Sequence, residues 1–236
     1  MNMRSKSSGG ARPAASAPGV SAAPGRPKQA RTPSGGSEPR KAGSGGAGVI
    51  RIIGGEWKRS KLAVAAAPGL RPTPDRVRET LFNWLGQDLS GLRCLDAFAG
   101  SGALGFEAAS RGATEVLLIE QAPALVASLR DNATRLQASQ ITVVRGDALS
   151  LMRQRAGQAW DVVFLDPPFG DGQNEALFRD ALNAARDLVS PNGSLYLEAP
   201  RVWADAELAE LGWQVLRQGR AGQVAFHLLG PLAAGG

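Results

Sequence analysis

A chain of 236 residues, 43% of them hydrophobic, is long enough to bury a core, yet its first 48 residues cannot contribute to one. They are mostly Ala, Gly, Pro and Ser, with one Val and no aromatic residue, and too little apolar surface to offset chain entropy, so disorder is expected there. No apolar run is long enough for a signal peptide or a membrane span, and a single cysteine excludes a disulfide framework, so the expectation is a cytoplasmic protein.

The formal net charge of +6 is unevenly spread: residues 1–48 carry +7, residues 49–78 carry +5 and residues 79–236 carry −6. In the tail, positive charge either aids solubility or adds a contact. In 49–78 the basic residues stand among strand-like and turn residues, which favours contact with a polyanion through phosphate neutralisation.

Taken in chain order, "VIRIIGGEWKRSKLAVAA" reads as a β-hairpin, two β-branched runs around Gly54-Gly55, within a segment bounded at 49–70. A Pro-punctuated turn follows, then an amphipathic helix from Asp75, expected to cap it, to Leu85. From there to residue 236, apolar runs "RCLDAF", "EVLLIE", "ITVVRGD", "DVVFLD" and "GSLYLEA" alternate with segments of helical period such as "GALGFEAASRG" and "APALVASLRDNATRL". That alternation predicts a parallel α/β sheet covered on both faces, a Rossmann-like doubly wound arrangement. The last two strand-like runs, around Arg220-Ala221-Gly222-Gln223, have no helix between them and predict a terminal antiparallel hairpin at the sheet edge.

The first sheet strand runs into "LDAFAGSGALGFEA", with Gly100, Gly102 and Gly105 at a strand-to-helix turn. Such glycines let the backbone turn tightly and approach a ligand at the free N–H groups of a helix start. Glu120, about twenty residues on, ends the next strand, where a carboxylate can accept from two ribose hydroxyls. Asp96 precedes the glycines and suits a cationic, amine-bearing ligand better than a pyrophosphate. Asp147, in "RGDAL", stands where an adenine amine would donate. For these two aspartates, a turn or helix-capping role remains open beside the ligand role. With the terminal hairpin, they favour S-adenosylmethionine over a nicotinamide dinucleotide.

"DVVFLDPPF" ends the fourth sheet strand beside the first, so Asp166 faces the same crevice as the glycine loop. The exocyclic amine of a base is a poor nucleophile because its lone pair is conjugated with the ring. A carboxylate at Asp166 and the carbonyl of Pro167 can accept from its N–H bonds, Pro168 keeps the turn rigid, and the Phe169 ring can stack on the base. The pattern points to methylation of an amino group on a flat, flipped-out base. Cys94 lies inside the first strand, which argues against a cysteine nucleophile. No metal-ligand cluster is visible, and His227, in the final strand, reads as a partly buried structural residue.

With these residues in view, the chain resembles the RsmD family, bacterial methyltransferases that modify the exocyclic N2 of a guanine in 16S ribosomal RNA. The resemblance covers about residues 50–230 and rests on "RIIGGEWKRSKL", "LRPTPDRVRETLFNWL", "LDAFAGSGALGFEAASRGA" and "FLDPPF". It implies the class I S-adenosylmethionine-dependent methyltransferase fold, a seven-stranded sheet preceded by a small N-terminal β-hairpin. It further implies cofactor contacts at Asp96, Phe98, Ala99, Gly100, Ser101, Gly102, Gly105, Glu120, Asp147 and Ala148. The amine site is then Asp166, Pro167, Pro168 and Phe169. RNA contacts are expected from Arg51, Lys58, Arg59, Lys61, Arg71, Arg76 and Arg78, although Arg78 and Glu79 could equally form a structural ion pair. Pro74 stands where a small polar residue would be expected, and the tail is longer than the family requires.

The partner this implies is 16S rRNA or the 30S subunit, with no metal and no membrane, and the expected state is a monomer. Rival readings are an adenine-N6 or DNA methyltransferase, since DPPF serves adenine amines too, and a non-catalytic RNA-binding or assembly factor. A nicotinamide dehydrogenase is a more distant rival.

Overall fold

The computed structural model describes residues 48–169 and 174–232; the expected disorder of residues 1–48 lies, except for Gly48, outside the described residues. Strands β1 (Gly48–Arg51) and β2 (Lys61–Val64) pair antiparallel. Alternation sorts their side chains: Ile50, Leu62 and Val64 point into the core, while Arg51 and Lys61, register partners, stay exposed on the outer face. The hairpin therefore shares its core with the rest of the chain. Ile50, Ile52, Leu62 and Val64 pack in one cluster with Cys94, Val116, Phe164 and Tyr196 of the main sheet.

Helix α1 (Asp75–Trp84) follows, with Pro74 in the N-cap position and no side-chain cap. The expected Asp75 cap is thus a correction: its carboxylate reaches Arg78 Nη2 at 2.7 Å instead of a backbone N–H of the first turn. Five parallel strands come next: β3 (Arg93–Asp96), β4 (Glu115–Glu120), β5 (Ile141–Arg145), β6 (Trp160–Leu165) and β7 (Val189–Ala199). Between them run α2 (Ala103–Ser110), α3 (Pro123–Arg135), α4 (Ala148–Arg153) and α5 (Glu175–Arg186). Helix α6 (Asp205–Glu210) leads to β8 (Trp213–Ala221) and β9 (Val224–Pro231), the terminal antiparallel hairpin. The seven-stranded sheet has the order β5-β4-β3-β6-β7-β9-β8, the doubly wound arrangement read from the alternation of strands and helices.

Each strand's inward residues divide between the two faces. Cys94, Phe164 and Tyr196 join the cluster under α1, α2 and the N-terminal hairpin, whereas Leu95, Val163, Leu165 and Leu197 join a second cluster under α5. Cys94 is fully buried and burial pushes its thiol up to about 12, so it is a core residue with no thiolate to offer. His227 is fully rather than partly buried: its Nε2 accepts from the Trp203 N–H at 3.3 Å, and burial lowers its pKa, favouring the neutral ring. Among the described residues, no helix is long and apolar enough to cross a membrane.

Candidate functional site

The sheet order brings to its C-terminal edge one carboxylate from each of five neighbouring strand ends. Read from β5 to β7 they are Asp147, Glu120, Asp96, Asp166 and Glu198. Adjacent strands lie about 4.8 Å apart, so the row spans a crevice of the size a nucleoside and a base occupy side by side.

The glycine loop is held against this row by backbone bonds. Gly100 and Gly102 take φ values of +49° and +78°, a region costly for residues with a Cβ. Gly100 N–H donates to Glu120 Oε2 at 2.9 Å and Ala122 N–H to Glu120 Oε1 at 2.8 Å, so one carboxylate joins the loop to the end of β4. Gly105 lets α2 approach β4: a Cβ there would lie 2.1 Å from Leu118 Cδ2. Its N–H donates to Asp96 Oδ2 at 3.1 Å. Asp96 is buried, and that burial, with nearby Glu120, pushes it up to about 7 against the opposing pull of the Gly105 N–H. Phe98 is half-buried, while Ala99 and Ser101 are buried within the loop.

Asp147 caps α4, its Oδ2 accepting from Ser150 N–H at 2.8 Å, which holds its pKa below the ordinary carboxylate range. It is exposed, so its cap role leaves acceptor positions open to solvent. Ala148 is the first, buried residue of α4.

Asp166 is half-buried immediately after β6, and Ala97 N–H donates to Phe164 O at 3.1 Å, tying this strand end to the start of the glycine loop. Burial and the neighbouring carboxylates of Glu198 and Asp96 hold Asp166 well above the usual range. Pro167 is buried, Pro168 is exposed and accepts at its carbonyl from Asn174 Nδ2 at 3.1 Å, and Phe169 is half-buried with its ring 6.1 Å from Phe178 of α5. The aromatic surface expected to meet a base is therefore anchored from behind.

Of the basic residues, Arg51, Lys58, Arg59, Lys61, Arg71 and Arg76 are exposed. Arg78 is not: it is fully buried, and its guanidinium is consumed by Glu107 Oε2 at 3.2 Å, Asp75 Oδ1 at 2.7 Å, Arg51 O at 3.0 Å and Thr73 O at 3.3 Å. The expectation of an RNA contact at Arg78 is corrected, because a buried guanidinium with these partners has no face left for phosphate. Of the two roles considered for Arg78, the ion pair is the one found, but with Glu107 and Asp75 rather than the exposed Glu79.

Reading the sequence alone missed Glu107 and Glu198. Glu107, fully buried in the middle of α2, accepts from Ile53 N–H at 2.9 Å, Gly54 N–H at 2.7 Å, Arg78 Nη1 and Arg111 Nε at 2.9 Å. It thereby clamps the loop between β1 and β2 onto the helix that follows the glycine loop. Gly55 completes that contact: with φ +73°, it sits where a Cβ would meet Ser110 O at 1.8 Å. Both glutamates interrupt otherwise apolar runs, "GALGFEAA" and "SLYLEA", which was the available signal.

Strand order, terminal hairpin and a glycine loop between acid-ended strands together define the class I methyltransferase fold. The family profile described as Conserved hypothetical protein 95 matches residues 50–230. The chain belongs to that family. It is 43% identical over 195 residues to Ribosomal RNA small subunit methyltransferase D of Escherichia coli K12, covering 80% of this chain and 93% of that protein. The protein of the same name from Haemophilus influenzae is 40% identical over 185 residues, covering 77% and 93%. The solved structure of yhhF from Escherichia coli superposes with a TM-score of 0.65 at 42% identity, covering 79% of this chain and 100% of that one.

Proposed function

We propose that this chain is an S-adenosylmethionine-dependent methyltransferase that methylates the exocyclic N2 of a guanine in 16S rRNA of the small ribosomal subunit. The observation that carries the reading is Asp166, with the Pro167 carbonyl, set in the strand-end row directly beside the glycine loop. The name of the Escherichia coli and Haemophilus influenzae relatives supports a small-subunit rRNA substrate.

The residues fit the cofactor. Positive-φ glycines open the backbone at the start of α2, and Asp96, Glu120 and Asp147 succeed one another on adjacent strands. That order suits a methionine ammonium group, a ribose diol and an adenine amine. When bound, S-adenosylmethionine supplies an electrophilic methyl group on a sulfonium centre. The chain's own residues do the rest by position: Asp166 and the Pro167 carbonyl accept from the two N2–H bonds and turn the nitrogen lone pair out of conjugation. Phe169 stacks on the extruded base, which costs a few kcal/mol to unstack, least in a loop.

The exposed cations of the N-terminal hairpin and the turn before α1 would hold rRNA phosphates. Replacing Lys58 and Arg59 together by Ala should weaken RNA binding without sequence preference and reduce the slope of log affinity against log salt by about one to two. Melting temperature should be unchanged, because both side chains are exposed. Filter binding at several salt concentrations measures this, and an unchanged slope would remove the hairpin from the RNA interface.

The activity itself is tested by transfer of labelled methyl from S-adenosylmethionine to 30S subunits lacking their own modification, to naked 16S rRNA and to duplex DNA. Label is expected in 30S or 16S rRNA, and the comparison reports which form is read. Label in DNA alone would overturn the reading.

A further inference from the structure

The row of strand-end carboxylates continues one member past Asp166. Leu165 of β6 and Leu197 of β7 are register partners, and each is followed by an acid, Asp166 and Glu198. Phe164 and Tyr196, the previous register pair, share the cluster beneath α1, so Glu198 lies by alternation on that face, one strand beyond the amine-holding acid.

Glu198 is buried, and among the described residues no salt bridge reaches it. It is oriented instead by a neutral donor. Tyr196 OH donates to Glu198 Oε2 at 3.1 Å, and the Thr73 hydroxyl lies beside the carboxylate. Thr73 is itself fixed, since its carbonyl accepts from buried Arg78. A carboxylate offers about four acceptor positions, so the Tyr196 hydroxyl and a nearby Thr73 leave it short of partners at a burial that is costly for an uncompensated charge.

We propose that Glu198 is a specificity-determining residue that accepts a hydrogen bond from the N1–H of the target guanine while Asp166 holds the N2 amine. This rests on the guanine-N2 reading of the site. On guanine, N1–H and N2–H are neighbouring donors on one edge, and two acids on adjacent strands present neighbouring acceptors. On adenine the amine stands beside the N1 lone pair, which a carboxylate repels. The arrangement accordingly accepts one purine amine and rejects the other, although DPPF alone serves both.

The test uses 16S rRNA, assembled by ligation, in which the guanine methylated by the unmodified enzyme is replaced by 2,6-diaminopurine. That base keeps the N2 amine and carries a lone pair at N1. The native chain should favour guanine by about tenfold to a hundredfold in kcat/KM, the range expected for leaving one such buried acceptor unpaired. Glu198→Gln should lose most of that preference, because its amide can turn a donor toward N1, while Glu198→Asp, which keeps the carboxylate, should retain it at a reduced rate. Cofactor affinity by calorimetry should be unchanged in both variants, and Glu198→Gln should melt no lower than the native chain, since it removes a buried charge without changing the side chain's shape. An equal preference in the native chain and Glu198→Gln would overturn the role of Glu198 while leaving guanine-N2 methylation standing. Failure of the native chain to methylate any guanine N2 would instead sink the parent reading.

Discussion

Replacing Glu107 by Ala should destabilise the fold by about 3–5 kcal/mol, the cost of breaking a buried ion pair by removing one partner. Glu107 and Arg78 are both fully buried, and Arg111 is nearly so. Without the carboxylate, Arg111 loses its counter-charge, buried Arg78 is left with the exposed Asp75 alone, and the N–H groups of Ile53 and Gly54 lose their acceptor. For a domain of this size each kcal/mol shifts the melting temperature by about 2–4 °C, so a drop of about 6–20 °C is expected. Adding Arg78→Met should cost less than Arg78→Met does in the native background, because the charge it removes has already lost its buried partner. Chemical denaturation of the four proteins measures the cycle. A loss below about 1 kcal/mol for Glu107→Ala would mean that the clamp between hairpin loop and α2 is not a stabilising element.

Asp166→Ala should behave in the opposite way, removing turnover and sparing the fold. Loss of the acceptor proposed to orient the amine should lower kcat by about a hundredfold or more, since the proposed catalysis depends on placement. Calorimetry should find cofactor affinity little changed, and an active variant would take Asp166 out of the mechanism. Stability supplies an independent check with a definite sign. Burial and the neighbouring acids raise the Asp166 pKa, so in the pH window between the ordinary carboxylate range and that raised value the folded chain binds a proton that the unfolded chain releases. Its contribution is therefore full below the ordinary carboxylate range, and is lost as pH rises through the raised value. Asp166→Asn should melt no lower than the native chain at pH 8, and its advantage should shrink as the pH is lowered toward 4. Destabilisation that persists at pH 8 would contradict the crowding of acids at this strand edge.

The fold was legible because its signals are periodic and local: apolar runs of strand length, glycines at a strand-to-helix turn, and a final pair of strands without a helix between them. Asp96, Glu120, Asp147 and Asp166 could be located because strand ends are marked by the residues themselves. Arg78 reads as an RNA contact in the sequence for a physical reason. A cation in a basic segment reads as surface, and only the packing of α1 against α2 reveals that its partner lies 29 residues away at Glu107. Asp75 was likewise read from its position at a helix start, whereas the competing partner, Arg78 one turn on, captures its carboxylate. Glu198 eluded sequence reading because an acid in an apolar strand has no local partner to announce it. Its neighbours, Tyr196 apart, come from the end of β6 and from Thr73, more than a hundred residues earlier.

These two glutamates give the N-terminal segment a physical purpose. Through Glu107 the hairpin loop is fixed to the helix behind the glycine loop, and through Thr73 the turn before α1 walls the acid beside Asp166. The hairpin loop and the strand-end acids are thus joined through buried contacts.

The most direct test of the central claim is the identity of the methylated nucleoside. 16S rRNA, free or in 30S subunits lacking their own modification, would be incubated with the protein and labelled S-adenosylmethionine, digested, and resolved by liquid chromatography and mass spectrometry. The label is expected in N2-methylguanosine, and to be lost with Asp166→Ala. Label in N6-methyladenosine, or no label from a chain that binds the cofactor, would contradict the claim.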